Sequence, residues 1–296
     1  PILVLIFNRP DKAKGLFDII RRQKPMKLYV AADGPRKDRH NEEDLCLQAR
    51  AVFNNIDWPC EVKTFFRDEN AGCGKAVSEA ITWFFRNEEC GIILEDDCHP
   101  HDDFFPFCQE MLAKYRHDNR VKIISGTNFQ QGIRWGSNSY YFSHLFHVWG
   151  WATWRRSWNE YCYNMDDHDD SLLKEFKKRF PNSRLRQYWE YIFRMMKTEP
   201  VDTWDYQLFF SIVKNNGLTI IPNTNLVSNI GFGDDATHTQ QDDPRWSEQA
   251  THPLGSIKHP TSVRCNNLAD TYYYYNNELN RKPRIFHRIR RAMHWY

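Results

Sequence analysis

The sequence predicts an α/β protein with a mostly parallel central sheet flanked by helices. Two observations carry that expectation. Ile2–Phe7 is an unbroken apolar run rich in β-branched residues, the pattern of a strand buried on both faces. Four further short apolar segments then alternate with stretches of helical periodicity, giving the rhythm of parallel βαβ units.

In chain order, Asn8-Arg9-Pro10-Asp11 breaks the first strand. Ala13, Leu16, Phe17 and Ile20 follow at the i, i+3, i+4, i+7 spacing of one helix face. Leu28–Ala32 reads as a second strand ended by Asp33-Gly34-Pro35, and residues 41–53 as a helix. Val62–Phe66 is a third strand, residues 74–85 a helix, and Gly91–Leu94 a fourth strand. Residues 104–115 are helical, and Val121–Ile124 makes a fifth strand. Beyond residue 126 the rhythm fades. An irregular aromatic stretch runs from Ser137 to Trp158, helices are expected over 172–178, 184–197 and 206–213, and a strand over Leu218–Ile221.

Charge excludes one broad class. Forty Lys and Arg stand against 38 Asp and Glu, a net charge of +2, so the strongly basic balance expected of a nucleic-acid-binding domain is missing. Eight scattered cysteines show no C-x-x-C pair, which argues against a zinc ribbon or disulfide scaffold and points to a reducing cytosol. No apolar run is long enough to span a membrane. The tail from Arg281 to Arg291 is basic without an acid, with Ile285, Phe286, Ile289 and Met293 on one helical face. It reads either as a peripheral contact with the inner face of an anionic membrane or as an amphipathic helix docked on the body.

Ligands of parallel α/β sheets collect at the carboxyl ends of the strands. Those ends carry Asn8-Arg9, Asp33-Gly34, Arg67–Asn70 and Glu95-Asp96-Asp97. Three consecutive carboxylates repel unless a cation joins them. Hard Mg²⁺ or Mn²⁺ suits such oxygens and bridges to phosphates; a solvated acidic turn is the plainer alternative. Asn70-Ala-Gly72-Cys-Gly-Lys75 opens a helix with small residues, so its backbone N–H groups could approach a phosphate or a sugar. Asp205 could serve as a general base or merely cap the helix it opens, with Asp202 as the rival base.

Taken in order, these motifs resemble the GT-A glycosyltransferases, most nearly the inverting N-acetylglucosaminyltransferase I group and its bacterial relatives. The resemblance rests on Ile93-Leu-Glu-Asp-Asp97, Asp33-Gly34, Trp149-Gly-Trp151-Ala-Thr-Trp154, Thr203-Trp-Asp205 and the segment from Ser228-Asn-Ile-Gly-Phe-Gly233 to Thr237-His238. Where the family has a His-Tyr-Arg segment, this chain has Asp68-Glu-Asn-Ala-Gly72. The resemblance implies a GT-A fold, with residues 1–126 as the nucleotide-sugar-binding half, 127–265 as the acceptor and catalytic half, and 266–296 as an extension. It implies transfer of a hexose or N-acetylhexosamine from a nucleotide-diphospho-sugar, a UDP-sugar favoured, to a glycan, glycolipid or glycoprotein hydroxyl with inversion. A non-catalytic carbohydrate- or nucleotide-sugar-binding protein on the same fold is the alternative. The implied roles are Asp97 and His238 at the metal, and Asn8, Arg9, Asp33, Asn70, Gly72, Glu95, Asp96 and Trp151 at the donor. Asp205 is the implied base. Ser228–Thr239 is the implied loop over the donor, with His238 otherwise a surface histidine.

Overall fold

The computed structural model describes residues 1–166, 169–232 and 249–278. It shows an α/β protein whose eight-stranded sheet is mostly parallel and flanked by helices. The first part of the chain follows the expected rhythm: β1 (Ile2–Ile6), α1 (Pro10–Gln23), β2 (Lys27–Ala32), α2 (Glu42–Ala51), β3 (Glu61–Phe66), α3 (Cys73–Asn87) and β4 (Cys90–Glu95). Pro10 opens α1, where a missing N–H costs nothing, and Asp11 lies in the first turn against the positive end of the helix dipole. Ala13, Leu16, Phe17 and Ile20 are the face α1 buries, joined by Ile19. Apolar side chains cover β1 on both faces, with Leu3 and Val4 wholly inaccessible. Burying such a side chain contributes about 1.5–3 kcal/mol.

Next come β5 (Cys98–Pro100), α4 (Phe104–Lys114), β6 (Val121–Ser125), β7 (Tyr140–Ser143), β8 (Trp151–Trp154) and the single turn α5 (Arg155–Trp158). They lead to α6 (Ser171–Arg179), α7 (Ser183–Thr198), α8 (Asp205–Lys214), β9 (Leu218–Pro222), β10 (Val227–Asn229) and α9 (Asn267–Tyr273). The sheet order is β3-β2-β1-β4-β8-β6-β9-β7. One correction concerns its centre. The strand β8 lies between β4 and the fifth predicted strand, β6, antiparallel to both. Its Trp-Ala-Thr-Trp sequence sits inside the stretch expected to be irregular, because four residues are too few to show a period.

The edge strand β3 carries exposed Glu61, Val62, Thr64 and Phe66, while β7 at the other edge is partly covered where Asn266 N bonds Phe142 O at 2.8 Å. A separate two-stranded sheet pairs β5 with β10 antiparallel, setting Asn229 opposite Cys98. This small sheet brings the chain beyond residue 227 back over the end of β4. One large sheet therefore runs through both halves of the chain. All eight cysteines are free thiols. Among the described residues no helix is long and apolar enough to cross a membrane.

Candidate functional site

The carboxyl ends of β1, β2, β3 and β4 open into one cavity, closed on its far side by the first turns of α3. Its polar wall comprises Arg9, Asp33, Arg36, Arg67, Asn70, Glu95, Asp96 and Asp202, with Phe7 and Phe65 as apolar surfaces. Three guanidinium groups and three sheet-end carboxylates thus share one concave site.

Of the acidic triplet, Asp96 is the most enclosed, 2% exposed. Its Oδ1 takes a hydrogen bond from Arg9 Nη2, which also donates to Asp97 Oδ2 at 3.0 Å. Among the described residues Asp96 Oδ2 is buried without a hydrogen-bond partner, a costly state that a ligand hydroxyl would relieve. Burial pushes both Asp96 and Glu95 above the ordinary carboxylate range; neighbouring carboxylates add to this and Arg9 opposes it. The same carboxylates raise the Arg9 guanidinium. Asp202 lines the cavity, whereas Asp205, the expected base, is not among its lining residues.

Asp97 is half-buried, and its other oxygen receives Asn229 Nδ2 at 3.2 Å. Ile230 N donates to its carbonyl at 2.9 Å. Beside it Gly231 has no room for a side chain, because a Cβ there would lie 2.1 Å from Asp97 Oδ2. Among the described residues no group of three or more His, Cys, Asp or Glu converges to hold a metal. Both Asp97 oxygens accept from nitrogen donors, Oδ2 from Arg9 and Oδ1 from Asn229, so an ion reaching this carboxylate would have to displace them. His238, the other expected ligand, lies outside the described residues, as do Gly233–Thr239 of the expected loop and the basic tail.

Asp33 ties the ends of β2 and β3 together: its Oδ1 accepts from Gly34 N and Ala71 N, each at 2.9 Å. Burial nonetheless holds its pKa above the ordinary value. Asn70 Nδ2 donates to Gly34 O at 2.9 Å. Asn8 meets Glu42 Oε1 at 2.9 Å rather than the cavity wall. Glu42 is buried. Burial works to raise its pKa, but hydrogen bonds from Arg36 and Asn8 outweigh that and lower it. Arg36, so anchored, stands 5.5 Å over the Phe7 ring.

Two placements correct the sequence reading. Trp151 is 1% exposed and stacks on Trp204 at 5.6 Å in the core. It therefore forms no part of the cavity wall, because β8 is a central strand whose faces are covered. The N-terminus of α3, read as a place for phosphate or sugar, is already filled. Asp202 accepts from Cys73 N and Gly74 N at 2.9 and 2.8 Å. Asp205 takes Thr203 Oγ1 and, at 2.9 Å, Tyr206 N on the single oxygen Oδ1; Oδ2 has no hydrogen-bond partner among the described residues.

Sequence reasoning passed over Arg36, Glu42 and Cys73. Arg36 follows the strand-end turn directly, which was a usable signal. Cys73 lies among Glu95, Asp202, Asp205 and Asp33; burial first, then these carboxylates, push its thiol far up, and nothing in its sequence position foretold that.

No family model matches the chain, and no curated protein matches it. Solved structures do. The chain is similar to 4-diphosphocytidyl-2C-methyl-D-erythritol synthase from Anaerococcus prevotii at 11% identity and a TM-score of 0.36, over 60% of this chain and 84% of that one. It is similar to mouse xyloside xylosyltransferase 1 at 12% identity and a TM-score of 0.35, over 72% and 80%. It is also similar to HddC from Yersinia pseudotuberculosis at 11% identity and a TM-score of 0.31, over 52% and 77%. Likenesses this distant do not bear on the reaction.

Proposed function

We infer that the chain is a glycosyltransferase of the GT-A type. It would move a sugar from a nucleoside-diphosphate donor, UDP favoured, to a hydroxyl of a glycan, glycolipid or glycoprotein. The observation that carries this reading is one cavity holding Arg9, Arg36 and Arg67 together with Glu95 and Asp96 at the strand ends. Guanidinium groups suit phosphate oxygens, which they can grip at two points. The buried carboxylates suit sugar hydroxyls, which can donate to the unpartnered Asp96 Oδ2. Asp33, Asn70, Phe7 and Phe65 offer a mixed polar and apolar wall for the nucleoside.

Asp97 and His238 would be the protein ligands of Mg²⁺ or Mn²⁺ in this reading. Such an ion would supply neutralisation of the charge that grows on the departing diphosphate. Asp205 would accept the proton of the acceptor hydroxyl at its open Oδ2 as that oxygen attacks the anomeric carbon. Attack from the face opposite the diphosphate inverts that carbon in one step.

The test is a screen of nucleotide sugars with Mn²⁺ or Mg²⁺, scored by release of the nucleoside diphosphate and by calorimetric binding of that product. Metal-dependent release from one donor class is the expected result. Tight binding with no release for any donor, with or without sugar acceptors, would instead favour the non-catalytic sugar-nucleotide-binding alternative.

A further inference from the structure

Asp202 stands in the connection between α7 and α8, three residues before Asp205 and far in sequence from the helix it touches. It bonds the backbone N–H groups of Cys73 and Gly74, the first two residues of α3. Amides in a first turn have no partner within their own helix. A cap ordinarily comes from the residue just ahead of the helix. Here that residue is Gly72, which has no side chain to offer, so the other half of the chain supplies the carboxylate.

Two glycines make this approach feasible. A Cβ on Gly72 would lie 2.7 Å from Asp202 Oδ2, and one on Gly74 would lie 2.6 Å from Thr203 O. Gly72 also holds a φ of +84° that favours glycine. The contact then continues toward the base. Gln207 Nε2 donates to Thr203 O at 2.8 Å, and Thr203 Oγ1 donates to Asp205 Oδ1. On its other side, α3 lends Cys73, Ala76 and Val77 to the cavity wall, next to Gly72 ahead of it.

We propose that Asp202 is a positioning residue, a clamp that locks the Thr203–Asp205 turn onto α3 and so fixes where Asp205 stands relative to that helix. The proposal rests on the reading of Asp205 as the base. A reacting group displaced by about 1 Å can lose on the order of 100-fold in rate, so the clamp has a kinetic consequence as well as a structural one. The helix dipole favours a carboxylate at this end of α3.

The test compares the full-length wild type with Asp202→Ala and Asp202→Asn by amide exchange and by transfer kinetics. In Asp202→Ala, protection should fall at Cys73 and Gly74 and also at Tyr206, whose N–H reports the place of Asp205. At saturating donor its kcat should fall about tenfold to a hundredfold. Asp202→Asn keeps one carbonyl acceptor and should recover much of both losses. Equal kcat losses in the two variants with protection unchanged would overturn the proposal, because Asp202 would then act through its own proton. Lost stability with unchanged kcat in the folded variant would also overturn it, leaving a plain helix cap. If the wild type transfers no sugar, the base reading falls by itself. The exchange result still decides the clamp: unchanged protection at Tyr206 in Asp202→Ala rejects it.

Discussion

Among the described residues Arg9 is the single cation bonded to both Asp96 and Asp97. Replacing it with methionine leaves a buried carboxylate beside another without a counter-charge, a change that costs about 3–5 kcal/mol when a buried pair loses one partner. The sign with pH follows from Asp96. Burial already raises it, and loss of Arg9 raises it further, so the folded variant binds the proton more tightly than the unfolded chain. The deficit of Arg9→Met should therefore be largest at neutral pH and shrink as the medium is acidified below the raised pKa. Urea midpoints at pH 7 and pH 5 measure it, and equal deficits at both would contradict the assignment. At Asp205 the substitution is Asn, which can still accept Tyr206 N but cannot take a proton. Nucleotide-sugar binding should survive while transfer falls by about 10²–10⁴; a near-normal rate would leave Asp205 only its place at the head of α8. At this scale the sequence was most informative. Glu95, Asp96, Asp97, Asp33 and Arg9 lie where strand-end logic put them, because a polar residue just after an apolar strand has few places to go. Asn8 and Trp151 went elsewhere, since partners such as Glu42 and Trp204 are brought in by tertiary folding that local pattern does not encode.

At the level of elements, the joint between the ends of β2 and β3 shapes the cavity mouth. Gly34 packs against the backbone of Glu69 so tightly that a Cβ would sit 2.4–2.6 Å from three of its atoms. Backbone cannot swing aside as a long side chain can. Gly34→Ala should cost about 1–3 kcal/mol through this overpacking, and should weaken nucleoside diphosphate binding because Asp33 and Asn70 stand on either side of the joint. Chemical denaturation and calorimetry measure the two effects, and full stability would show that the two turns can part without loss. Helices and parallel strands were legible because their apolar periods run for several residues. The short strands β5, β7, β8 and β10 have three or four residues each, and their pairing is set by distant partners. The antiparallel insertion of β8 was therefore out of reach from the sequence.

Across the whole molecule, the segment near residue 270 is tied to the sheet by one buried acid. Asp270 accepts from Ser143 Oγ and His144 N at 2.5 and 2.9 Å and from Cys265 Sγ at 3.2 Å, and burial pushes its pKa up to about 6. A carboxyl raised on folding binds protons more tightly in the native state. Its contribution is thus greatest in acid and declines as pH rises through about 4 to 6. Asp270→Asn should remove that slope, seen as a flatter dependence of Tm on pH over the same window; an unchanged slope would mean that Asp270 titrates as it does in the unfolded chain.

The place of β8 in the sheet also has a history during synthesis. β4 ends at Glu95, but the strand that covers its open side begins only at Trp151. Chains leave the ribosome at about 5–20 residues per second, so β1 to β4 can assemble for some seconds with one flank of β4 unpaired. Unpaired strand edges are the surfaces by which nascent sheets stick to one another. A ribosome that pauses before codon 151 would prolong that window, and one that hurries past it would close the flank with the two tryptophans of β8. The yield of native protein should therefore follow the translation speed of residues 96–150 more than the stability of the finished fold.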